Sequence, residues 1–157
     1  MDTITISIDG YKRLNARLVA LKEAERPAIL AAIQKARELG DLSENADYST
    51  AKDAERAINS EIRRLEALKE KADVVDITTL SGDTVMFGAR VTTSDENGKK
   101  AKYQILSEYE SDLSRGIIAI TSPVARAMIG KKEGDFITIQ TPAGQRELKI
   151  LELRYGT

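Results

Sequence analysis

Asp41, Glu44 and Asp47 fall within seven residues of one another in the stretch ELGDLSENADY, residues 38 to 48. The chain has no His and no Cys, so imidazole bases, thiol nucleophiles, disulfides and zinc-type sites are excluded. What remains is carboxylate chemistry. Paired carboxylates are hard oxygen ligands suited to Mg²⁺, but that ion takes six ligands and usually keeps several waters. Two side chains could therefore complete a metal site held mostly by another molecule, and could hardly build one. In two-metal phosphoryl chemistry one ion prepares the attacking water and the other stabilises the leaving oxygen. Carboxylates delivered to a centre that already holds one ion could add hydrolysis to it.

A structural reading of the same residues stands beside this one. Asp41 can cap a following helix while Glu44, three residues on, returns a bond as in a capping box; both charges suit a helix N-terminus. Spacing alone leaves both readings open.

The elements flanking this stretch read as helices. Apolar residues recur at Tyr11, Leu14, Leu18, Leu21, Ala28 or Ile29, Ala32 or Ile33, Ala36 and Leu39, in steps of three and four,. Pro27 interrupts the pattern and predicts a kink or short break. A second stripe follows at Tyr48, Ala51, Ala54, Ile58, Ile62, Leu65, Leu68 and Ala72. Two stripes joined by a short turn predict an antiparallel helical hairpin, with Gly40 just past the first helix. From Tyr11 to Leu39 the helix would run about 43 Å at 1.5 Å per residue. Alanines near the turn make its core slim, so the carboxylates sit where they could enter a cleft of another molecule.

Beyond about residue 74 the hydrophobic period becomes two. Five strand-like runs, TVMFGARVTTS, KYQILSEY, GIIAIT, DFITIQT and RELKILELR, are separated by turn signals,. SPVARAMIG, residues 122 to 130, reads as a short helix capped by Ser122, with Pro123 in its first turn and Gly130 at its stop. The reading is α+β: a helical hairpin over residues 1–75 with its acidic tip at 41–47, and a small antiparallel sheet with one helix over 82–157.

With 24 Lys plus Arg against 25 Asp plus Glu, the net charge is −1, and contact with nucleic acid must be local. The N-terminus carries no secretory pattern and no apolar run approaches the roughly 20 residues of a membrane span. A cytoplasmic, monomeric protein without a membrane partner is expected.

GDLSENADY with its flanks IQKAREL and AKDAE resembles the tip of the bacterial Gre family of transcript-cleavage factors, most closely the GreA type. VMFGARVT, YQILSEYESD, IAITSPVARAMIGKKEGD and TPAGQRELKILELRY are similar to that family's C-terminal domain, so the likeness covers essentially the whole chain. The resemblance implies a hairpin that enters the secondary channel of RNA polymerase, where a backtracked enzyme extrudes the 3′ end of nascent RNA. It implies that Asp41 and Glu44 help hold a second Mg²⁺ shared with polymerase, so that polymerase cleaves its own transcript and the factor is no enzyme alone. It further implies an FKBP-like C-terminal domain docking at the channel mouth, with Ser122, Pro123 and Arg126 near the contact. Arg37 and Lys52 match basic positions that touch the extruded RNA; a solvated face with ordinary ion pairs is the alternative. Ser43 and Asn45 match tip residues that contact polymerase or orient the loop; local hydrogen bonds across the turn explain them equally well. Asp47 stands where the family more often has Glu, and Tyr48 also begins an apolar stripe. A channel-binding regulator that does not promote cleavage is the competing function, and a structural adaptor a third.

Overall fold

A computed structural model describes residues 2–40 and 45–156, which form two compact units. The α+β reading holds, with the seam displaced from the expected one. Tyr11–Ala72 belongs to the first unit, whereas Thr3–Gly10 joins residues from Asp73 onward in the second. The displacement arises because β1 (Ile4–Ser7) pairs with β2 (Ala72–Val75), a long-range pairing with no local signature.

In the first unit, α1 (Ile8–Ala20) continues through one π-helical turn (Leu21–Glu25) into α2 (Arg26–Arg37), and α3 (Ala46–Lys71) returns antiparallel against it. Pro27 lies in the first turn of α2. The Arg26 amide bonds the Leu21 carbonyl, five residues back. The wide turn immediately precedes the residue without an N–H, and so absorbs the disturbance that proline introduces. Leu14, Leu18, Leu21, Ile33 and Ala36 are buried on the first arm, and Ala51, Ile62 and Leu65 on α3. Of the alternatives in the first stripe, Ile29 and Ile33 turn inward, while Ala28 and Ala32 are exposed. Leu39 is not part of the buried stripe: it is 65% exposed, because helical geometry ends at Arg37. Arg17 clasps the arms from the side. Its Nε and a terminal nitrogen each donate to Glu61 at 2.9 Å, and its other terminal nitrogen bonds Glu25.

The second unit is a five-stranded sheet ordered β5-β4-β3-β7-β6, with β3 (Arg90–Ser94), β4 (Lys100–Leu106), β5 (Ile117–Ala119), β6 (Phe136–Thr141) and β7 (Gly144–Arg154). Three pairings are antiparallel, but β5 runs parallel to β4, so the expectation of a purely antiparallel sheet is corrected. The run beginning at Thr84 becomes strand only at Arg90; Val85 bonds the loop at Gly130 and Lys131 instead. One face of the sheet packs Val91, Ile105, Ile118, Ile137, Leu148 and Ile150 against Ala125 and Met128 of α4 (Pro123–Met128).

A polar clasp secures the first residues to this unit. Glu110, 2% exposed, accepts from the amide and hydroxyl of Ser107 at 3.2 and 2.7 Å, from the Ser7 amide at 3.2 Å, and from the Ser7 hydroxyl. Gly10 passes so close that a Cβ there would lie 2.3 Å from a Glu110 carboxylate oxygen. A buried carboxylate needs such a complete set of donors.

Candidate functional site

The turn between α2 and α3 is closed from both sides by backbone and side chain. At the end of α2, the amides of Glu38, Leu39 and Gly40 bond carbonyls of the last helical turn. Gly40 has φ of +118°, a backbone conformation open to glycine and strained for other residues. At the start of α3 the cap is Asn45, in extended conformation, whose Oδ1 accepts from the Tyr48 amide at 3.1 Å. Its Nδ2 donates to the Ala36 carbonyl at 2.6 Å. One side chain thus satisfies an orphan amide of α3 and adds a second donor to the Ala36 carbonyl, which the Leu39 amide also bonds, so that it ties the end of α2 to the start of α3,.

This corrects the capping-box reading. The cap position of α3 belongs to Asn45 and not to Asp41, four residues earlier. Asp41, Ser43 and Glu44 themselves lie outside the described residues. Asp47 is exposed in the first turn of α3, where a negative charge favours the positive end of the helix.

The basic residues flank this turn on both arms. The Arg37 guanidinium sits 5.9 Å from the centre of the Tyr48 ring, a cation–π distance that ties the last turn of α2 to the first of α3. Tyr48 is half-buried, so its stripe position and this contact both account for it. Lys52 pairs with Glu55 one turn along, at 2.7 Å. That pair is the ordinary intrahelical arrangement, worth about 0.3–0.5 kcal/mol. Arg37 at the end of α2, Asn45 at the cap of α3 and Lys52 about two helical turns along it lie on the two arms beside this turn,. The local hydrogen bonds expected as one reading of Asn45 are present; what spacing missed is that they include the cap of α3, since several cap-competent residues crowd residues 41–47,.

Electrostatics in this unit follow its cross-arm pairs. The Arg17 hydrogen bond holds the Glu61 carboxyl below the usual carboxylate range despite partial burial, and Lys22 does the same for Glu66. Among the described residues no group of three or more Asp, Glu, His or Cys is placed to hold a metal ion.

Ser122, Pro123 and Arg126 come together on α4 in the second unit. Ser122 caps the helix, its hydroxyl accepting from the Ala125 amide at 3.2 Å, and Pro123 occupies the first turn. Arg126 is exposed, with no ion pair or hydrogen bond to its guanidinium among the described residues. Gly130 closes the segment at φ of +83°. Ser122 and Pro123 are accounted for by the helix start; Arg126 is not.

Comparison with known proteins places the chain. Residues 4–74 match the family model "Transcription elongation factor, N-terminal", and residues 80–155 match "Transcription elongation factor, GreA/GreB, C-term". The chain is 46% identical over 157 residues to the transcription elongation factor GreA of Ruegeria pomeroyi, covering 99% of this chain and 100% of that protein. To GreA of Rhodospirillum rubrum it is 43% identical, again over 99% and 100%. Among solved structures, the GreA factor homolog 1 (Gfh1) of Thermus thermophilus is 24% identical, with 97% and 99% coverage and a TM-score of 0.46. The GreA/GreB factor of Nitrosomonas europaea is 22% identical, with 98% and 100% coverage and a TM-score of 0.43. Both family models and the full-length likeness lead to one conclusion: the chain belongs to the GreA/GreB family of transcription elongation factors, and is of the GreA type.

Proposed function

We propose that this protein inserts the turn between α2 and α3 into the secondary channel of bacterial RNA polymerase and stimulates Mg²⁺-dependent cleavage of the transcript's 3′ end in backtracked complexes. The observation that carries the proposal is the capping of α3 by Asn45, which accounts for the helix start without Asp41 or Glu44. The cap of α3 therefore does not require the sequence's two closely spaced carboxylates, whose oxygens suit a metal ion,. α3 spans 26 residues, about 39 Å at 1.5 Å per residue, which gives the turn reach.

The donor set fits a shared ion and not a resident one: two hard carboxylate oxygens suit Mg²⁺, and polymerase and water would supply the rest. When bound, such an ion supplies Lewis-acid charge and a more acidic water. Asp41 and Glu44 contribute oxygens for that ion and an acceptor for the proton of the attacking water. Asn45 ties the end of α2 to the start of α3. Arg37 and Lys52 lie on the two arms beside this turn, and offer local positive charge to the phosphates of the extruded RNA. Ser43, between Asp41 and Glu44 in the sequence, offers a hydroxyl to polymerase. On α4, Arg126 presents a guanidinium that is unpaired among the described residues for polymerase at the channel mouth, beside Ser122 and Pro123. The catalytic centre stays with polymerase, so the protein alone cleaves nothing, and it works in the cytoplasm as a monomer.

The test is a defined backtracked elongation complex with end-labelled RNA, incubated with protein and Mg²⁺. Short 3′ fragments and resumed elongation support the proposal. Slowed nucleotide addition without fragments supports the regulator reading.

A further inference from the structure

The outer face of the sheet, opposite α4, carries a basic groove that the function above does not use. Cross-strand register sets Arg154 of β7 directly opposite Arg90 of β3, which in turn faces Gln104 of β4. In the adjacent row Thr92 faces Lys102. Arg115 completes the rim from the turn before β5, and the open cavity they line measures about 410 Å³. The turn bearing Arg115 is locked in place: the Gly116 carbonyl accepts from the Gln104 amide at 2.8 Å. Gly116 also has φ of +73°, and a Cβ there would lie 2.6 Å from the Lys102 carbonyl oxygen.

Like charges directly opposite across strands are destabilising, and Glu152 is the single carboxylate lining the groove. It is engaged by Arg154 on its own strand. Arg90 is steadied by a 2.8 Å bond to the Gly156 carbonyl, which leaves most of its five donors for other acceptors. Among the described residues, the Lys102 and Arg115 side chains have no ion pair or hydrogen bond. Four cations are therefore concentrated on one face of a chain whose net charge is −1.

We infer that this groove binds the phosphate backbone of single-stranded RNA. Arg, Lys, Thr and Gln are the donor types that contact phosphate and sugar. From β7 across β3 and β4 to β5 the strip spans three strand spacings of about 4.8 Å,, room for two or three consecutive phosphates. A protein partner fits less well, since the cores of such interfaces are depleted of charge and built on aromatic anchors. The exposed apolar residues Met86, Leu113 and Phe136 lie outside the groove lining. A sheet face suits an unpaired strand, whereas a duplex presents its major groove to a helix or ribbon. The choice of RNA over DNA rests on the function proposed above.

The experiment is fluorescence anisotropy of the full chain, without polymerase, using a labelled 12-nucleotide RNA. All proteins carry Arg37→Ala and Lys52→Ala so that the helical unit's cations do not mask the groove. Lys102→Glu with Arg115→Glu should weaken binding at least about fivefold, and should flatten the salt dependence by about 0.7 in log–log slope for each phosphate left unneutralised. Lys131→Glu with Lys132→Glu makes the same charge change outside the groove and should weaken it less than about twofold. Equal weakening in both variants, or none in the first, overturns the inference. So does tighter binding of duplex DNA, of single-stranded DNA, or of poly-glutamate than of RNA. Because no cleavage is read, failure here leaves the channel proposal standing; failure of cleavage removes the reason for choosing RNA over DNA and leaves the phosphate-binding groove to be judged by these measurements.

Discussion

The helical unit and the sheet unit bury their apolar residues in opposite styles. Along α1, α2 and α3 the buried set is a single line, and near the turn it shrinks to Ile33, Ala36 and Ala51. Side-chain clasps supplement that line: Arg17 to Glu61, Lys22 to Glu66, and Asn45 to Ala36. The sheet unit instead surrounds Val91, Ile105, Ile150 and Met128 with neighbours from several elements. Helices that must stay slim cannot interpose large side chains, so polar contacts take over the specification that packing performs in the sheet. Under the proposed function, the contrast separates delivery from scaffold.

The largest effect expected is in the scaffold. Ile150→Ala removes a fully buried side chain and should cost about 2–5 kcal/mol, read as a lower urea midpoint. Glu110→Ala should cost about 3 kcal/mol by stranding the Ser7 and Ser107 donors. Amide exchange should then quicken in β1 as well as around residue 107, which a purely local effect would not produce. In the helical unit, Asn45→Ala should cost about 1 kcal/mol through removal of the cap. It should also lower cleavage stimulation, because the end of α2 is no longer tied to the start of α3. Asn45→Asp keeps the cap acceptor and loses the donor to Ala36, so recovery of stability without recovery of cleavage would isolate the clasp.

Acid should expose the contrast next. Glu61 and Glu66 titrate below their ordinary value of 4.5 because Arg17 and Lys22 bond their ionised forms. Their contribution is complete above that value and is lost as pH falls through the lower, folded one. Asp95, Asp76 and Asp112 in the sheet unit are also lowered, Asp95 chiefly by the Lys99 amide, Asp76 by Thr78 and Asp112 by Ser114. Cross-arm ion pairs are screened by salt and local turns to amides and hydroxyls much less. Molar salt should therefore flatten the acid response of the helices, followed by exchange at α3 amides, more than that of the sheet. Glu61→Gln should reproduce the flattening without salt. Arg37→Ala should have the smallest effect on folding, about 0.5–1 kcal/mol from the stacking on Tyr48, while reducing RNA fragment yield.

The two units were unequally legible in the sequence. Period and turn chemistry gave both helical arms, the Ser122 cap, the Gly130 stop and the strand-rich second half. They could not assign Thr3–Gly10, whose pairing with residues 72–75 and clasp on Glu110 depend on partners far away in the chain, 103 residues in the case of Ser7 and Glu110. Nor could they foresee β5 parallel to β4, since register across a crossover leaves no local pattern. At the turn, Asp41 with Glu44 satisfied the capping-box spacing as well as any pair, yet Asn45 caps α3 and makes a second bond to Ala36. The basic groove was invisible for a related reason: Arg90, Lys102, Arg115 and Arg154 become neighbours only through sheet register.

The most direct measurement of the central claim is RNA cleavage in a stalled, backtracked polymerase complex with the double variant Asp41→Asn, Glu44→Gln. The expected result is a drop in 3′ fragments of about a hundredfold or more, the scale of a removed charge-stabilising group, with polymerase binding and thermal stability within about 0.5 kcal/mol of the parent. Cleavage equal to the parent would contradict the account.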